Sequence, residues 1–333
     1  MKKDHRRKIL DYCNSLGLEL AGFIECRVFD ELKDFYISRR SSSLENEFEE
    51  KDINKRINPK YYYEKGKTII SIAFPYLHAY EYSDNGFSVY TRGLDYHNVV
   101  TGYMEKICNF INSLGGETHY FVDSNALPER YIAYLAGIGF VGKNNMLITE
   151  KYGSFVFLGE IITDLEIECS EERSFEDMNK FTECGECNIC YTECPTKAIK
   201  KDKKNPNICL SYITQKKQIE DKWFNLLDGR VFGCDSCQKL CPYNLKAEKS
   251  TIPEFYPLDF MNLNHGDEIL EIENRQFKET FKKTSCGWRG KNVLIRNLLI
   301  RKYTKNGKVF HGSRFHSTYI KEYLDRLYSK SNL

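Results

Sequence analysis

Eight of the 13 cysteines in this 333-residue chain fall between residues 184 and 241. CGECNICYTECP sets Cys184, Cys187, Cys190 and Cys194 in the spacing C-x2-C-x2-C-x3-C, followed by Pro195. In that bacterial ferredoxin pattern, short spacers let one tight loop wrap three thiolates around the corners of an iron–sulfur cube. The fourth cysteine, beside proline, ligates a different cluster. CDSCQKLCP supplies Cys234, Cys237 and Cys241 before Pro242, one cysteine short of the first set, and Cys209 in NICLSYITQ completes the count. The expected ligation is crossed: one [4Fe–4S] cluster on Cys184, Cys187, Cys190 and Cys241, a second on Cys194, Cys209, Cys234 and Cys237. Paired C-x2-C units also bind zinc, but two Cys-Pro endings and a crossed count of eight favour iron–sulfur. Cys13, Cys26, Cys108, Cys169 and Cys286 are scattered and read as inert packing residues.

Two clusters make an electron relay, and a relay needs a terminus. The 165 residues before the cysteine region are more than a ferredoxin requires and should hold the group that receives the electrons. They carry no GxGxxG, so a Rossmann nucleotide site has no support. RGLDYHNVVTG approaches the D-x-H-x-x-G pattern of some corrinoid proteins, but its glycine is misplaced, and His97 reads as structural.

The elements that must position this chemistry follow from periodicity. Residues 5–16 form an amphipathic helix with Ile9, Leu10, Cys13 and Leu16 on one face. Strands are expected over 18–26, 68–76, 118–124 and 154–163, and helices over 95–114 and 128–135, the latter opened by a tolerated early proline. Residues 38–60 are charged and form a surface loop or exposed helix. The fold class expected is α+β: a mixed N-terminal domain over 1–165, a ferredoxin-like two-cluster domain over 166–250, and a C-terminal region over 251–333, irregular to 290 and then helical and basic.

Composition narrows the setting. No run of about 18 apolar residues predicts a membrane span, and the basic start, MKKDHRRKILDYCNSLGLEL, lacks the apolar core of a secretory signal. The expectation is a cytoplasmic protein, monomeric by default, whose thiols stay reduced and available to metal. The net charge is +2, yet Lys282 to the C-terminus holds 13 Lys/Arg against two acids, Glu322 and Asp325. That +11 tail against −9 elsewhere suggests an anionic partner such as nucleic acid; the plain alternative is a solvated basic helix.

Beyond these local signals, a series of segments in fixed order resembles the epoxyqueuosine reductase family: RGLDYH, VDSNALPERYIAYLAGIGFVGKN, YGSFVFLGEIIT, CGECNICYTECPTKAI, CLSYITQ, GCDSCQKLCPYN and FKETFKKTSCGWRGK. The resemblance runs from the first helix to about Asn297. It implies an enzyme that uses cobalamin and two [4Fe–4S] clusters, fed by an external low-potential electron donor, to reduce epoxyqueuosine at the tRNA wobble position to queuosine. It implies that Asp123 is the proton donor, with a carboxyl pKa raised by burial against the corrin; a helix N-cap is the plain alternative for this residue. By the same resemblance Arg56 contacts the corrin, or else makes an exposed salt bridge. Lys143 and Asn144 lie where a tight backbone could meet corrin amides, and Leu147 and Leu158 could wall the ring or simply pack. Ser211, Asp235 and Ser236 flank cluster cysteines and either bond the cofactor or orient the loops. Lys217, Arg296, Arg301 and Lys302, with Lys305, Lys308 and Arg314, are candidates for tRNA phosphates.

One departure stands out. Longer family members end in a helical-repeat domain that helps hold tRNA, whereas about 35 residues follow Asn297 here, enough for one helical pair. The rival readings are another corrinoid iron–sulfur reductase acting on a small molecule, related to reductive dehalogenases, and a ferredoxin-type electron carrier without catalysis.

Overall fold

The computed structural model describes residues 1–78, 85–170, 173–201, 204–262, 267–307 and 315–331. Lys308 and Arg314 lie outside the described residues.

Strands β1 (Ala21–Glu25), β2 (Thr68–Pro75), β3 (Thr118–Phe121) and β6 (Val156–Thr163) form one antiparallel sheet in the order β1-β2-β6-β3. β2 is an apolar, β-branched run buried at every position, as a central strand covered on both faces must be. One face packs against the Lys2–Ser15 and Tyr96–Ser113 helices through Ile9, Ile70, Ile72, Val100 and Met104. The other packs against the Glu129–Leu135 helix through Ile69, Ile132 and Ile162. Gly22 lets that helix sit close: a Cβ there would lie 2.1 Å from the Ala136 carbonyl oxygen. A short hairpin of β4 (Phe140–Val141) and β5 (Leu147–Ile148) carries Lys143 and Asn144 at its turn.

The class is α+β, as expected. Each expected strand forms, trimmed by one to three residues at its ends. The last 43 residues contain the helices Lys291–Asn306 and Thr318–Ser331, an α-helical pair. The apolar core crosses the expected boundary at 250: Leu210, Phe224 and Phe232 share one cluster with Leu294, Leu298, Tyr323 and Leu327. Around the first half of the cysteine region, only Cys194, Ala198 and Ile199 form a core of their own. That segment has little apolar burial to hold it without metal.

The basic C-terminal helix is turned inward. In Lys291–Asn306, apolar residues surround Arg296 and Asn297, and both are fully buried. The Arg296 guanidinium donates to the carbonyls of Thr214, Lys216 and Lys217 and to the Asn297 side chain. Asn297 donates to the carbonyls of Thr214 and Val231. Arg296 is therefore a buried tie to the cluster region, which corrects its expected place on a phosphate-facing surface. Lys302 is buried too, Arg301 donates to the Gly229 carbonyl at 2.6 Å, and Lys305 pairs with Asp228 at 3.1 Å. Among the described basic residues expected to face phosphate, Lys217 and Lys305 stand exposed, and Lys305 is paired with Asp228.

Candidate active site

The eight cysteines are free thiols that sort into two sets. Burial and then the neighbouring Cys184, Cys187 and Cys241 push the Cys190 thiol up to about 11, and Cys241 and Cys187 likewise act on Cys184. Cys209 feels Cys234 and Cys194, while Cys237 feels Cys234, Cys209 and Cys194 before Cys190. Cys241 thus neighbours the Cys184–Cys190 loop, and Cys194 and Cys234 neighbour Cys209 and Cys237. Cys184, Cys187, Cys190 and Cys241 line one cavity of about 470 Å³. Among the described residues no three Cys, His, Asp or Glu side chains are grouped as a single metal ion requires. An all-sulfur donor set around such a space fits an iron–sulfur cube.

Second partners hold these loops. The Lys143 ammonium donates to the carbonyls of Gly185 and Cys187 at 2.7 and 2.9 Å and to the Asn188 side chain at 3.1 Å. The Asn144 amide donates to the Cys237 carbonyl at 3.2 Å. The hairpin turn thus grips both cluster loops, and Lys143 is committed there rather than to a corrin edge. Asp235 accepts hydrogen bonds from the Ser88 hydroxyl and from the Val89 backbone N–H at 2.9 Å; burial raises its carboxyl pKa. Ser236 accepts from Arg230 at 2.7 Å, and the same guanidinium donates to Cys234 Sγ at 3.2 Å. Nothing in the cysteine spacing pointed to Arg230. Of the remaining cysteines four are buried, but Cys169 is exposed.

A second constellation gathers on the sheet. β3 delivers Asp123 in the left-handed backbone region, φ 48°, which non-glycine residues occupy at a cost. The following helix begins only at Glu129, with Pro128 at its N-cap, so Asp123 is no cap. Its Oδ2 accepts a hydrogen bond from the Tyr96 hydroxyl and lies 3.2 Å from His97 Nε2. Tyr96 is sandwiched between His97 and Phe157, with ring centroids at 4.1 and 4.2 Å. Asp95 caps the helix at His97 N and holds His97 Nδ1 at 2.8 Å, leaving Nε2 to face Asp123. His97, read as structural from the sequence, therefore bridges two carboxylates. Hydrogen bonds to Asp123 and Asp95 raise its pKa to about 9, against the opposing effect of burial.

The electrostatics of Asp123 differ from expectation. Burial pushes its pKa up, but the hydrogen bonds from His97 and Tyr96 outweigh that, and the net shift is downward. The protons reside on its neighbours. Glu129 is raised by burial and then by the charge of Asp123; Asn125 donates to its Oε1 at 2.9 Å. Glu160, opposite Ser71 and Phe121 in the sheet, is raised well above the ordinary range by burial, and its Oε2 has no hydrogen-bond partner.

The Asp123 side chain is 54% accessible and Arg130 is exposed, yet desolvation is the largest influence on Asp123, Glu129 and Arg130 alike. They line a cleft that solvent reaches and protein surrounds. Leu158, half-buried, lies on the strand beneath it, while Leu147 is buried in the adjoining core. Tyr90 joins the cleft to the second cluster set: its pKa is raised by burial and also by Asp235 and Asp123, and it bonds Ser211, two residues from Cys209. Arg56 is not exposed; its side chain is 12% accessible, stacked 3.8 Å over the Tyr36 ring and paired with Glu49 at 3.2 Å and Glu45 at 3.6 Å.

Comparison with known proteins decides the family. Residues 56–124 match the family described as "Epoxyqueuosine reductase QueG, DUF1730", and residues 183–244 match a 4Fe-4S double cluster binding domain. The chain is 34% identical over 307 residues to an epoxyqueuosine reductase of Bacillus subtilis, covering 89% of this chain and 78% of that one. The chain belongs to the epoxyqueuosine reductase family. A relative in Lactococcus garvieae is 33% identical, with coverage of 89% and 86%. A solved epoxyqueuosine reductase with an epoxyqueuosine-modified tRNA-Tyr stem loop superposes with a TM-score of 0.88 at 30% identity, over 98% of this chain and 90% of that one. One from Streptococcus thermophilus gives 0.80 at 29% identity, over 98% and 99%. The two iron–sulfur clusters expected from the cysteines are those of the matched double-cluster domain. No helix among the described residues is long and apolar enough to cross a membrane.

Proposed function

We propose that this member of the epoxyqueuosine reductase family reduces epoxyqueuosine at the tRNA wobble position to queuosine, with cobalamin held in the cleft at Asp123. The observation that carries the reading is Asp123, bonded by Tyr96 and His97 in an interior cleft that adjoins the second cluster set through Tyr90 and Ser211. The residues fit a large ring with polar edges. Aromatic and aliphatic side chains, Phe157, Tyr96 and Leu158, line one side. Arg56, Arg130 and the unpartnered Glu160 Oε2 offer polar contacts around it.

The reaction converts an epoxide to an alkene and water, consuming two electrons and two protons. When bound, cobalamin supplies the reducing centre for the carbon–oxygen bond. Cys184, Cys187, Cys190 and Cys241 would hold one cluster and Cys194, Cys209, Cys234 and Cys237 the other, and such clusters, reduced by an external low-potential donor, would supply electrons one at a time. The chain supplies the protons. Asp123 is ionised at neutral pH, so its proton at Oδ2 comes from a neighbour. His97 carries one on Nε2 at 3.2 Å, and Glu129, raised by burial, holds a second beside it. Two reservoirs flank one donor, matching the two protons required. Lys217 is the exposed cation best placed for a tRNA phosphate. The protein acts as a cytoplasmic monomer.

Mass spectrometry of tRNA nucleosides tests the activity. A strain lacking the gene should accumulate epoxyqueuosine and recover queuosine on complementation; unchanged queuosine in the deletion strain defeats the reading. The absorption spectrum of the reconstituted protein tests the cofactor separately, and failure to retain cobalamin would remove it from the cleft.

A further inference from the structure

An exposed aromatic cluster in the described chain has no role in the chemistry above. Phe48, 45% exposed, and Trp288, 46% exposed, meet edge to face at 5.7 Å, and Phe48 meets Tyr212 at 5.2 Å. The Arg289 guanidinium lies 4.0 Å over the Trp288 ring and 4.9 Å over Phe48. The indole N–H is already committed, donating to Gln215 Oε1 at 3.0 Å, which fixes the ring plane. What remains is a rigid π-face backed by a cation, open to solvent.

Its position is tied to the active-site cleft from two sides. Gln215, which holds Trp288, also donates to the Ser211 carbonyl on the Leu210–Gln215 helix, and Ser211 bonds Tyr90 at the cleft. Phe48 sits between Glu47 and Glu49, and Glu49 pairs with Arg39 and Arg56 and acts on Arg130, which lines the cleft. The exposed Lys217 follows the same short helix.

We propose that Trp288, framed by Phe48 and Arg289, is a stacking platform for one unpaired nucleobase of the tRNA loop, a neighbour of the nucleoside that enters the cleft. This rests on the tRNA reading above. An anticodon loop offers splayed bases, and RNA-binding proteins take such bases on aromatic faces and guanidinium planes. The charge pattern favours a base over a phosphate, because Glu47 lies 3.5 Å from Arg289 and offsets its charge. The contact should therefore depend little on salt, unlike a phosphate contact.

The test is a double-mutant cycle with the cluster- and cobalamin-loaded protein and an anticodon stem-loop RNA carrying single abasic substitutions beside the wobble position. Trp288→Ala should weaken binding about tenfold, by a similar factor at low and high salt, while Trp288→Phe keeps most of the affinity. One abasic position should weaken the wild type by a similar factor and leave Trp288→Ala unaffected. Trp288 is one of two tryptophans and Trp223 is buried, so RNA binding should also quench the exposed indole. Wild-type affinity in Trp288→Ala, or abasic penalties that add in full to it at every position, overturns the platform alone. Absence of any stem-loop binding by the wild type brings down the tRNA reading and the platform together.

Discussion

The cluster loops and the Asp123 cleft solve opposite problems. Seven of the eight thiols come from two short stretches whose spacing sets the expected ligation, in which Cys194 and Cys241 each cross to the other stretch's cluster and Cys209, between the stretches, completes the second set. The cleft takes Tyr96 and His97 from one helix, Asp123 from a strand end and Glu129 from another helix, and their properties exist only once the sheet has assembled them. Local spacing suffices to hold metal. Proton delivery needs tertiary contacts that shift each group against its neighbours.

The contrast is sharpest if each side can be broken without the other. Cys209→Ala removes the cysteine that completes the second set. It should lower iron from about eight to about four atoms per chain and abolish turnover. An unchanged iron content would mean that the crossed assignment is wrong. Asp123→Asn should do the reverse, leaving iron and cobalamin content intact while turnover falls by about 10²–10⁴. Single-turnover rates on modified stem-loop RNA decide this, and full activity would refute the assignment.

How far each region could be read in advance follows from the same contrast. Cys184 to Cys241 were legible because ligand geometry is written in two- and three-residue spacers. The strands of the sheet were legible because β2 is a near-continuous apolar, β-branched run and β6 is apolar on both sides of Gly159 and Glu160. His97 was not: its one sequence signal, Asp95 two residues earlier, is common at helix N-termini, and its partnership with Asp123 spans 26 residues and two elements. The shift of Asp123 was misjudged because burial alone raises a carboxyl pKa, whereas the deciding hydrogen bonds come from residues whose placement no periodicity reveals. Arg296 was misread because counting charge treats every cation as surface. Its setting, VLIRNLLI, with apolar residues on both sides through a full helical turn, was the available sign of a buried, fully bonded arginine.

That correction has its own test. Arg296→Met removes the donor to the carbonyls of Thr214, Lys216 and Lys217 inside the core, leaving them without their charged partner. Destabilisation of about 3 kcal/mol is expected in denaturant unfolding of the loaded protein. RNA affinity per folded molecule should stay unchanged, and a selective loss of affinity without loss of stability would restore Arg296 to the tRNA surface.

The smallest effect probes how strongly the cleft is coupled. His97 has its pKa raised from 6.5 to about 9 in the folded chain, so folding takes up a proton between these values. Its contribution to stability is complete below about pH 6.5 and is lost as pH rises through about 9. Asp123 is shifted downward, so its share is present above its ordinary range and lost only in acid. The two windows overlap around neutrality, where the ion pair is intact. Both side chains are part-exposed, 38% and 54%, so screening should hold the gain to roughly 1 kcal/mol or less. Denaturation midpoints of the wild type should decline between pH 6.5 and 9, and His97→Gln should flatten that decline. Turnover should fall over the same alkaline limb, because the proton on Nε2 is the one Asp123 draws upon. A wild-type profile that stays level through pH 9 would separate His97 from proton delivery and leave Glu129 as the remaining reservoir beside Asp123.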